Sequence, residues 1–384
     1  LLNVSTSRLA DGAPRLQGLG KLALLGAYAS CVLLFVPAFM ENGEATLNNY
    51  IPAITDPVYY AGLALLGAAL GLMVLRLLIN VSGSQGRWKE PLPFGTLSTA
   101  LIFGVALLCF AIAWAVLAEE LLSYEFNESL FWGGGHILQF ANTAMLITAL
   151  FVLARLTLKD IVLKDNQLTL TAMSTLVLYS GMGISITLKY APVHEKYWTM
   201  FTKFQYGLVL PAMLVGIPML VDILQQRKIG KGLQMRDPVL LCLLLSPVVF
   251  AVGGILGLFV DGGDTRAPAH YHGIIAGINL SFMGLFYGFF LPLLDRDLKP
   301  GKALYAQIYM FGGGQLVASV GLFLAGGYGT PRKTAGGAQG LEAIGAKIGM
   351  YMNGIGALIA VIGGVMFIWM VSKSLLGAPR TSTE

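Results

Sequence analysis

Histidines are the residues of this sequence best suited to bind a metal or a cofactor, and there are four of them. Two lie in the triplet His270-Tyr271-His272. Successive residues of an α-helix are rotated by about 100°, so positions i and i+2 point about 200° apart. The two imidazoles therefore cannot share one metal while the segment is helical, but each could serve a different cofactor. The alternative is a pair of interfacial histidines bonded to water or headgroups, although ionisable residues inside membrane spans are usually functional.

His136 follows the segment 131–135, which ends in three consecutive glycines. One helical turn without side chains leaves room for a planar ligand or for a closely packed helix, and the sequence does not decide between them. Gln139 and Thr143 share the face of His136 because they follow it by three and seven positions. They could orient or hydrate a ligand there.

Two groups of basic residues could also have a function. Lys203 is predicted near the outer end of a span, where it either extends towards the headgroups or serves a proton path or a cofactor. Arg332 and Lys333 lie in the glycine-rich loop 326–344. They form either a solvated loop or a site for anionic groups such as cofactor carboxylates, which guanidinium binds well.

The composition places these residues in a membrane protein. Of 384 residues, 56% are hydrophobic and 12% are charged, whereas a soluble domain carries about 25% charged residues. The net charge of +5 does not indicate nucleic-acid binding, because membrane proteins collect Lys and Arg in cytoplasmic loops. Cys31, Cys109 and Cys242 fall in apolar runs and are predicted to be buried, with no disulfide or thiolate metal site.

The apolar runs predict about ten transmembrane helices, since about 20 apolar residues cross the hydrocarbon core. The predicted spans are 20–40, 57–80, 96–118, 129–155, 168–188, 199–224, 238–259, 269–294, 303–325 and 345–372. The predicted fold class is therefore an all-α polytopic membrane helix bundle. Residues 1–384 are predicted to form a single integral membrane domain, with an N-terminal segment 1–18, a bundle 19–372 and a tail 373–384.

The basic residues predict how these spans are oriented. Most of the 25 Lys and Arg residues fall in segments on one side of the predicted bundle, which is therefore the cytoplasmic side with both termini. His136, His270 and His272 then lie in the outer ends of spans, and His194 lies in an outer loop. We expect a multi-pass protein of the bacterial inner membrane, with its histidines towards the periplasmic face.

Three motifs, in this order, resemble subunit I of the heme-copper oxidases, including the large subunit of nitric oxide reductases. The first is the segment 131–136, which is similar to the start of the family's sixth helix. The second is 269–272, which is similar to the tenth helix. The third is 329–333, which is similar to the loop after the eleventh helix. The ten predicted spans then correspond to the family's helices three to twelve.

The resemblance implies roles for five residues. His136 matches a ligand of the copper called copper-B, His270 matches the ligand of the high-spin heme, and His272 matches a ligand of the low-spin heme. Arg332 and Lys333 match the basic pair that holds heme propionates. The resemblance thus implies metal ligation by all three histidines, and heme binding by His270, His272 and the basic pair.

The sequence also departs from the family, which uses six ligand histidines where this chain has four. The family's seventh helix carries a His-His pair for copper, and the comparable stretch 183–188 has none. His194 lies beyond it and would have to fold back to replace them. The copper site is therefore expected to be incomplete, because such sites usually need about three nitrogen donors.

Two arrangements of heme follow from this ligand set. His270 could bind one heme, with His136 either ligating the iron opposite or facing an open site. His272 could complete a second heme with a histidine from another polypeptide, which would supply the family's first two helices. Tightly bound copper is not expected.

The function predicted first is a heme-binding, oxidase-like subunit of a respiratory complex that passes electrons, with reduction of oxygen or nitric oxide as its reaction if it is an enzyme. No catalytic residue is assigned. Expected partners are other membrane subunits, a cytochrome c-like donor and the bilayer. The alternative is a structural or assembly subunit that keeps the fold without its metals. A transporter is disfavoured, since Lys203 stands alone and no paired carboxylates lie mid-span.

Overall fold

Long apolar helices dominate the computed structural model, which describes residues 1–10, 12–40, 52–158, 167–228, 235–260, 262–296, 298 and 300–377. The helices are α1 (Leu2–Leu9), α2 (Gln17–Phe35), α3 (Pro57–Val81), α4 (Pro91–Val116), α5 (Tyr124–Thr157), α6 (Gln167–Lys189), α7 (Glu195–Phe204), α8 (Val209–Lys228), α9 (Pro238–Gly257), α10 (Arg266–Leu285), α11 (Leu291–Leu293), α12 (Lys302–Gly327) and α13 (Ile344–Leu376). Short 3₁₀ turns extend α2 and join α7 to α8, and a π-helical turn, Phe286–Phe290, joins α10 to α11.

Ten of the helical segments in the described part of the chain are long and apolar enough to cross a membrane. They are Gln17–Phe39, Pro57–Val81, Pro91–Val116, Tyr124–Thr157, Gln167–Lys189, Glu195–Gln225, Pro238–Gly257, Arg266–Leu293, Lys302–Gly327 and Ile344–Leu376. Each contains most of one predicted span. The all-α prediction and the spans are confirmed, and the helices generally start before their apolar runs because polar first turns are also helical.

Several helices begin where the sequence provides a cap. Asp56 precedes α3 and accepts a hydrogen bond from the Val58 amide at 2.7 Å. Asp237 precedes α9 and accepts one from the Val239 amide at 2.8 Å. A proline follows each aspartate, where its fixed backbone angle suits the first helical position and its missing N–H is not needed.

The chain divides into two compact units. The first unit comprises Leu1–Thr148 and Val162–Leu220, and the second comprises Ala149–Ile161 and Val221–Glu384. The first has a core that includes Phe140, Met173, Tyr197 and Phe201. The second has a core that includes Leu241, Leu280 and Ile308. The single membrane domain over 1–384 stays a prediction.

Helices α12 and α13 pack in backbone contact through glycines that recur two turns apart. A Cβ placed on Gly314, Gly321, Gly349, Gly356 or Gly363 would lie 2.5–2.6 Å from a backbone nitrogen of the other helix. Such distances are shorter than any normal contact, so these positions admit no side chain while the two helices keep their spacing. We call these five residues the glycine seam.

Helices α9 and α10 approach one another in the same way. A Cβ on Gly253 would lie 2.5 Å from the Ile274 nitrogen, and one on Gly273 would lie 2.6 Å from the Gly253 Cα. The Ser246 hydroxyl donates to the Gly277 carbonyl at 2.7 Å and ties the helices further along. This close approach brings the backbone of α9 within reach of the histidine at the start of α10.

Two sequence expectations are refined by the packing. Part of the segment 1–18 is the helix α1, whose Leu9 is fully buried and whose Ser5 hydroxyl donates to Thr96 Oγ1 at 2.7 Å. The prediction that all three cysteines are buried is right for Cys109 and Cys242 and wrong for Cys31, which is exposed. Helix α2 packs mainly against α3, so its opposite face is not covered by the described residues.

Candidate functional site

His270 is held against the neighbouring helix by its first ring nitrogen. Its Nδ1 lies 2.7 Å from the Gly253 carbonyl oxygen. A carbonyl oxygen can only accept a hydrogen bond, so the neutral imidazole carries its proton on Nδ1 and its lone pair on Nε2. A metal-ligating histidine is usually oriented by a hydrogen bond to a carbonyl from the ring nitrogen that does not bind the metal. The His270 side chain is therefore prepared to donate Nε2 to a metal.

The space around this imidazole depends on a glycine of α9. A Cβ placed on Gly257 would lie 2.4 Å from His270 Nδ1 and 2.6 Å from its Cε1. At Gly254, one turn earlier, a Cβ would meet nothing within 4 Å. Gly257 is thus the α9 position that must lack a side chain for the ring to keep its place.

His272 has different surroundings from His270. It is exposed in the second unit, and its ring centroid lies 5.4 Å from that of Tyr271. One histidine of the triplet is thus packed against α9 while the other is open to its surroundings. This difference agrees with the helical geometry of the triplet, and the ligand roles of both residues stay predictions.

The loop with the basic pair is joined to the beginning of α10 by main-chain hydrogen bonds. The Thr265 amide donates to the Thr330 carbonyl at 3.0 Å, and the Arg332 amide donates to the Gly263 carbonyl at 3.2 Å. Asp264 and Pro331 form an antiparallel bridge between them. We call this pairing of 263–265 with 330–332 the loop clasp. It places Arg332 and Lys333 beside the end of the helix that carries His270.

An ion pair supports the loop clasp. Arg266 Nη2 lies 2.6 Å from Asp264 Oδ2, and the Asp264 side chain is 14% exposed. Burial raises the pKa of this carboxyl, but hydrogen bonds and charge from Arg266, together with the charge of Arg332, outweigh burial and hold the pKa below its usual value. Asp264 is therefore ionised at neutral pH and offsets part of the positive charge.

Arg332 has a donor that could bind an anion. Arg332 Nε is buried and has no hydrogen-bond partner among the described residues. Burial, followed by the charge of Arg332, lowers the pKa of Lys333. An anionic group here would satisfy the Arg332 N–H and relieve the repulsion between the two cations.

We expect the loop clasp to weaken in acid. The pKa of Asp264 is lower in the folded protein, so its stabilising effect is complete above the ordinary pKa of about 3.9 and is lost as the pH falls through the lowered value. Hydrogen exchange of the Thr265 and Arg332 amides, corrected for intrinsic rates, should show protection that falls in this range. Asp264→Asn should lower the protection at neutral pH and remove its pH dependence. Equal protection in both proteins at every pH would contradict this role.

His136, in the first unit, is oriented like His270 but by its own helix. Its Nδ1 lies 2.6 Å from the Trp132 carbonyl oxygen, so Nδ1 carries the proton and Nε2 the lone pair. Its ring lies 4.7 Å from Trp132 and 6.1 Å from Phe201, measured between centroids. The Gln205 side-chain Nε2 donates to the His136 backbone carbonyl at 3.1 Å. His136 therefore has one nitrogen available as a ligand in an aromatic environment.

The glycines before His136 are used mainly for close packing. A Cβ on Gly133 would lie 2.1 Å from the Tyr197 hydroxyl, and one on Gly134 would lie 2.3 Å from the Phe110 ring. A Cβ on Gly135 would meet nothing within 4 Å. Of the two readings of this turn, close packing describes the first two glycines, and open space remains beside the third.

The structure gives His194 a different task from ligation. It is the N-cap of α7, and its Nδ1 accepts a hydrogen bond from the Lys196 amide at 3.0 Å. The lone pair that a metal would need is therefore occupied by the helix end. The side chain is exposed, and it does not fold back to replace a missing copper ligand.

The structure also locates the other residues that the sequence predicts to contribute to a site. Lys203 is exposed on α7. Thr143 Oγ1 donates to the Gln139 carbonyl at 3.0 Å, and the Gln139 side chain accepts from Asn142 at 3.4 Å. In the ranges that the structure describes, no three His, Cys, Asp or Glu side chains are grouped so that they could hold a metal ion.

The sequence-based predictions do not include some residues that shape these sites. Asp264 and Arg266 could have been recognised, since two opposite charges lie just before the predicted span 269–294. Gly257 could also have been recognised, because it follows Gly253 by one helical turn in an apolar run. Trp198 could not have been recognised: its ring stacks on Trp132 at 5.2 Å, and that contact joins residues far apart in sequence.

The comparisons with known proteins support the fold. No family model matches the chain. A solved structure described as a heme-copper terminal oxidase dimer, determined by cryo-EM, matches with a TM-score of 0.77 at 16% identity, covering 100% of this chain and 74% of that one. The chain therefore has a heme-copper oxidase subunit I-like fold, and with its apolar helices it is a multi-pass membrane protein.

Two relatives in sequence are uncharacterized proteins. One, from Rickettsia prowazekii (strain Madrid E), is 27% identical over 395 residues, covering 91% of this chain and 75% of the relative. Another, from Aquifex aeolicus (strain VF5), is 29% identical over 262 residues, covering 68% of this chain and 63% of the relative. Similar sequences thus occur in different bacteria.

Proposed function

We propose that this protein is a heme-binding, oxidase-like membrane subunit that takes part in electron transfer in a respiratory complex. The observation that carries the proposal is the His270 side chain. Its Nδ1–H is engaged by the Gly253 carbonyl at 2.7 Å, and its ring rests in a space that a side chain at Gly257 would fill. A fixed imidazole with a free Nε2 is the donor that heme iron takes from proteins.

Arg332 of the loop clasp and the adjacent Lys333 are suited to bind the carboxylates at the polar edge of a heme. Arg332 has a buried N–H without a partner in the described part of the chain, and Lys333 lies next to it. In this proposal the two side chains bind the propionate carboxylates of a heme, and His272 is a ligand for a second heme. Bound heme supplies reversible one-electron chemistry at iron.

The subunit would lie in a bacterial inner membrane together with partner proteins. Basic residues concentrate on one side of the spans, and this supports a cytoplasmic location, in a bacterium, for that side and both termini. His136 and the His270 triplet then lie towards the periplasmic face. Other membrane subunits complete the complex, one of them providing the second ligand for a heme at His272, and a cytochrome c-like protein is the electron donor. Because no three-ligand group lies in the described residues, tight copper binding is not part of the proposal.

Spectra of the purified protein test this function. We expect a Soret band, a pyridine-hemochrome signal and reversible reduction by dithionite. His270→Ala should remove the high-spin-type signal, because no nitrogen ligand remains at that position, while His194→Ala should leave the spectrum unchanged. A wild-type protein purified without a Soret band, or an unchanged spectrum of His270→Ala, would contradict the proposal.

A structural or assembly subunit is the second candidate. The observation that favours it is the absence, in the described ranges, of any group of three potential metal-ligating side chains, combined with a fold like that of an oxidase subunit. Metal analysis separates the two functions. Iron in stoichiometric amounts supports the heme-binding subunit, and an iron-free protein that still assembles with other membrane proteins supports the structural subunit.

A further inference from the structure

A buried arginine lies near the end of α3 in the first unit. Arg76 is only 7% exposed. Its Nε donates to the Arg15 carbonyl at 3.2 Å, and its Nη1 donates to Asn3 Oδ1 at 2.8 Å. Both acceptors are neutral, and they use only part of the donors that a guanidinium carries. No carboxylate is paired with Arg76 in the part of the chain that the structure describes, and a buried cation without a counter-charge is costly, so this position is suited to receive an anion.

A second arginine and a hydroxyl lie at the same end of the helix. The Arg15 amide donates to Asn80 Oδ1 at 2.9 Å, which holds this residue beside α3. Its Nη2 lies 3.1 Å from the position of a Cβ on Gly83. The adjacent Ser84 hydroxyl is 1% exposed and has no hydrogen-bond partner among the described residues. Two arginines, linked through the Arg15 backbone carbonyl, and a buried hydroxyl without a partner in the described ranges thus lie along the last turns of α3 and just after it.

This cluster lies at the end of a membrane span, where the chain is expected to meet the membrane surface. The span Pro57–Val81 ends there, and Trp88 follows in the next turn, stacked on Phe94 at 6.0 Å. Lys89 Nζ lies 5.6 Å from the centroid of the Trp88 ring. Tryptophan and basic residues are enriched where a span meets the headgroups.

We propose that Arg15, Arg76 and Ser84 bind the phosphate of an anionic phospholipid headgroup. Guanidinium groups form strong, charge-assisted hydrogen bonds with phosphate oxygens, and the bound lipid supplies a negative charge that none of the described residues brings to Arg76. The position at a span end favours a lipid over a free phosphate ion, because the acyl chains lie along the apolar helices. The inference is independent of heme binding.

Lipid retention by the full-length protein in detergent tests this site. Native mass spectrometry would compare added phosphatidylglycerol with phosphatidylcholine, and thermal stability would be measured with each lipid and with inorganic phosphate. We expect wild-type protein to retain phosphatidylglycerol preferentially, and Arg15→Gln and Arg76→Gln to bind it about tenfold more weakly. Lys302→Gln, which removes an exposed cation in the second unit, is the control and should behave like wild type.

Three results would overturn the inference. They are equal retention of phosphatidylglycerol by Arg15→Gln and wild type, equal retention of the two lipids by wild type, and stabilisation by inorganic phosphate as large as that by phosphatidylglycerol. If Arg76→Gln does not accumulate, Arg15→Gln alone decides, since the Arg15 side chain is exposed and its loss leaves the Asn80 hydrogen bond to the backbone intact.

Discussion

Gly257→Ala is expected to weaken heme binding about 10–100-fold, the range typical for loss of a group that orients a metal ligand. The new methyl carbon would lie 2.4 Å from His270 Nδ1, and the imidazole is the part that can move. The ring would leave the Gly253 carbonyl, and Nε2 would be aimed elsewhere. Because a side chain yields rather than a backbone, we expect the stability of the fold to change little.

The matched control is Gly254→Ala, one turn earlier on the same helix. A Cβ there meets nothing within 4 Å, so heme content and spectrum should stay those of wild type. The measurement is heme per polypeptide by pyridine hemochrome, together with a heme titration of protein made without heme. Equal heme affinity in the two variants would rule out the positioning role of Gly257. The ligand role of His270 is tested separately by His270→Ala.

Gly356→Ala is expected to destabilise the second unit by about 1–3 kcal/mol, as overpacking typically does. The added carbon would lie 2.5 Å from the Ala318 nitrogen and 2.7 Å from the Gly314 carbonyl oxygen. Both atoms belong to the α12 backbone, which cannot rotate aside as a side chain does. Relief therefore requires α12 and α13 to separate along the glycine seam, with loss of contact along both helices.

Gly354→Ala provides the comparison on the same helix. This position is exposed, and a Cβ there meets nothing within 4 Å. Alanine also has the higher helix propensity, so this variant should be as stable as wild type or slightly more stable. Thermal unfolding in detergent, followed by circular dichroism, measures both variants. Similar unfolding temperatures for Gly354→Ala and Gly356→Ala would show that the glycine seam tolerates a methyl group.

Hydropathy predicts the spans of this protein because length and apolar character are local properties. The structure adds detail where local properties no longer decide. The apolar run predicts the fourth span as 129–155, and α5 extends it to Tyr124–Thr157, since its polar first turn continues the helix. The apolar neighbours of Cys31 predict a buried side chain, but Cys31 is exposed, because burial depends on which face of α2 meets α3.

The candidate sites could be predicted as residue types but not as chemistry. The sequence singled out His136, His194, His270 and His272 and matched three of them to the ligands of a known family. It could not show that a carbonyl engages Nδ1 of His136 and His270 while an amide engages Nδ1 of His194. For His270 the difference depends on a contact between separate helices. It decides which histidines keep an available lone pair.

The loop clasp has a consequence for how such a chain tolerates mutation. Two hydrogen bonds between 263–265 and 330–332 join main-chain atoms, which every residue type except proline provides in full. Apart from Asp264 and Thr265, whose side chains add an ion pair and a hydrogen bond, side chains along these segments can therefore be exchanged while the loop remains next to α10. A protein built in this way can diverge widely in sequence while keeping the distance between its loop and its histidine helix, and its metal chemistry can then change independently of its architecture.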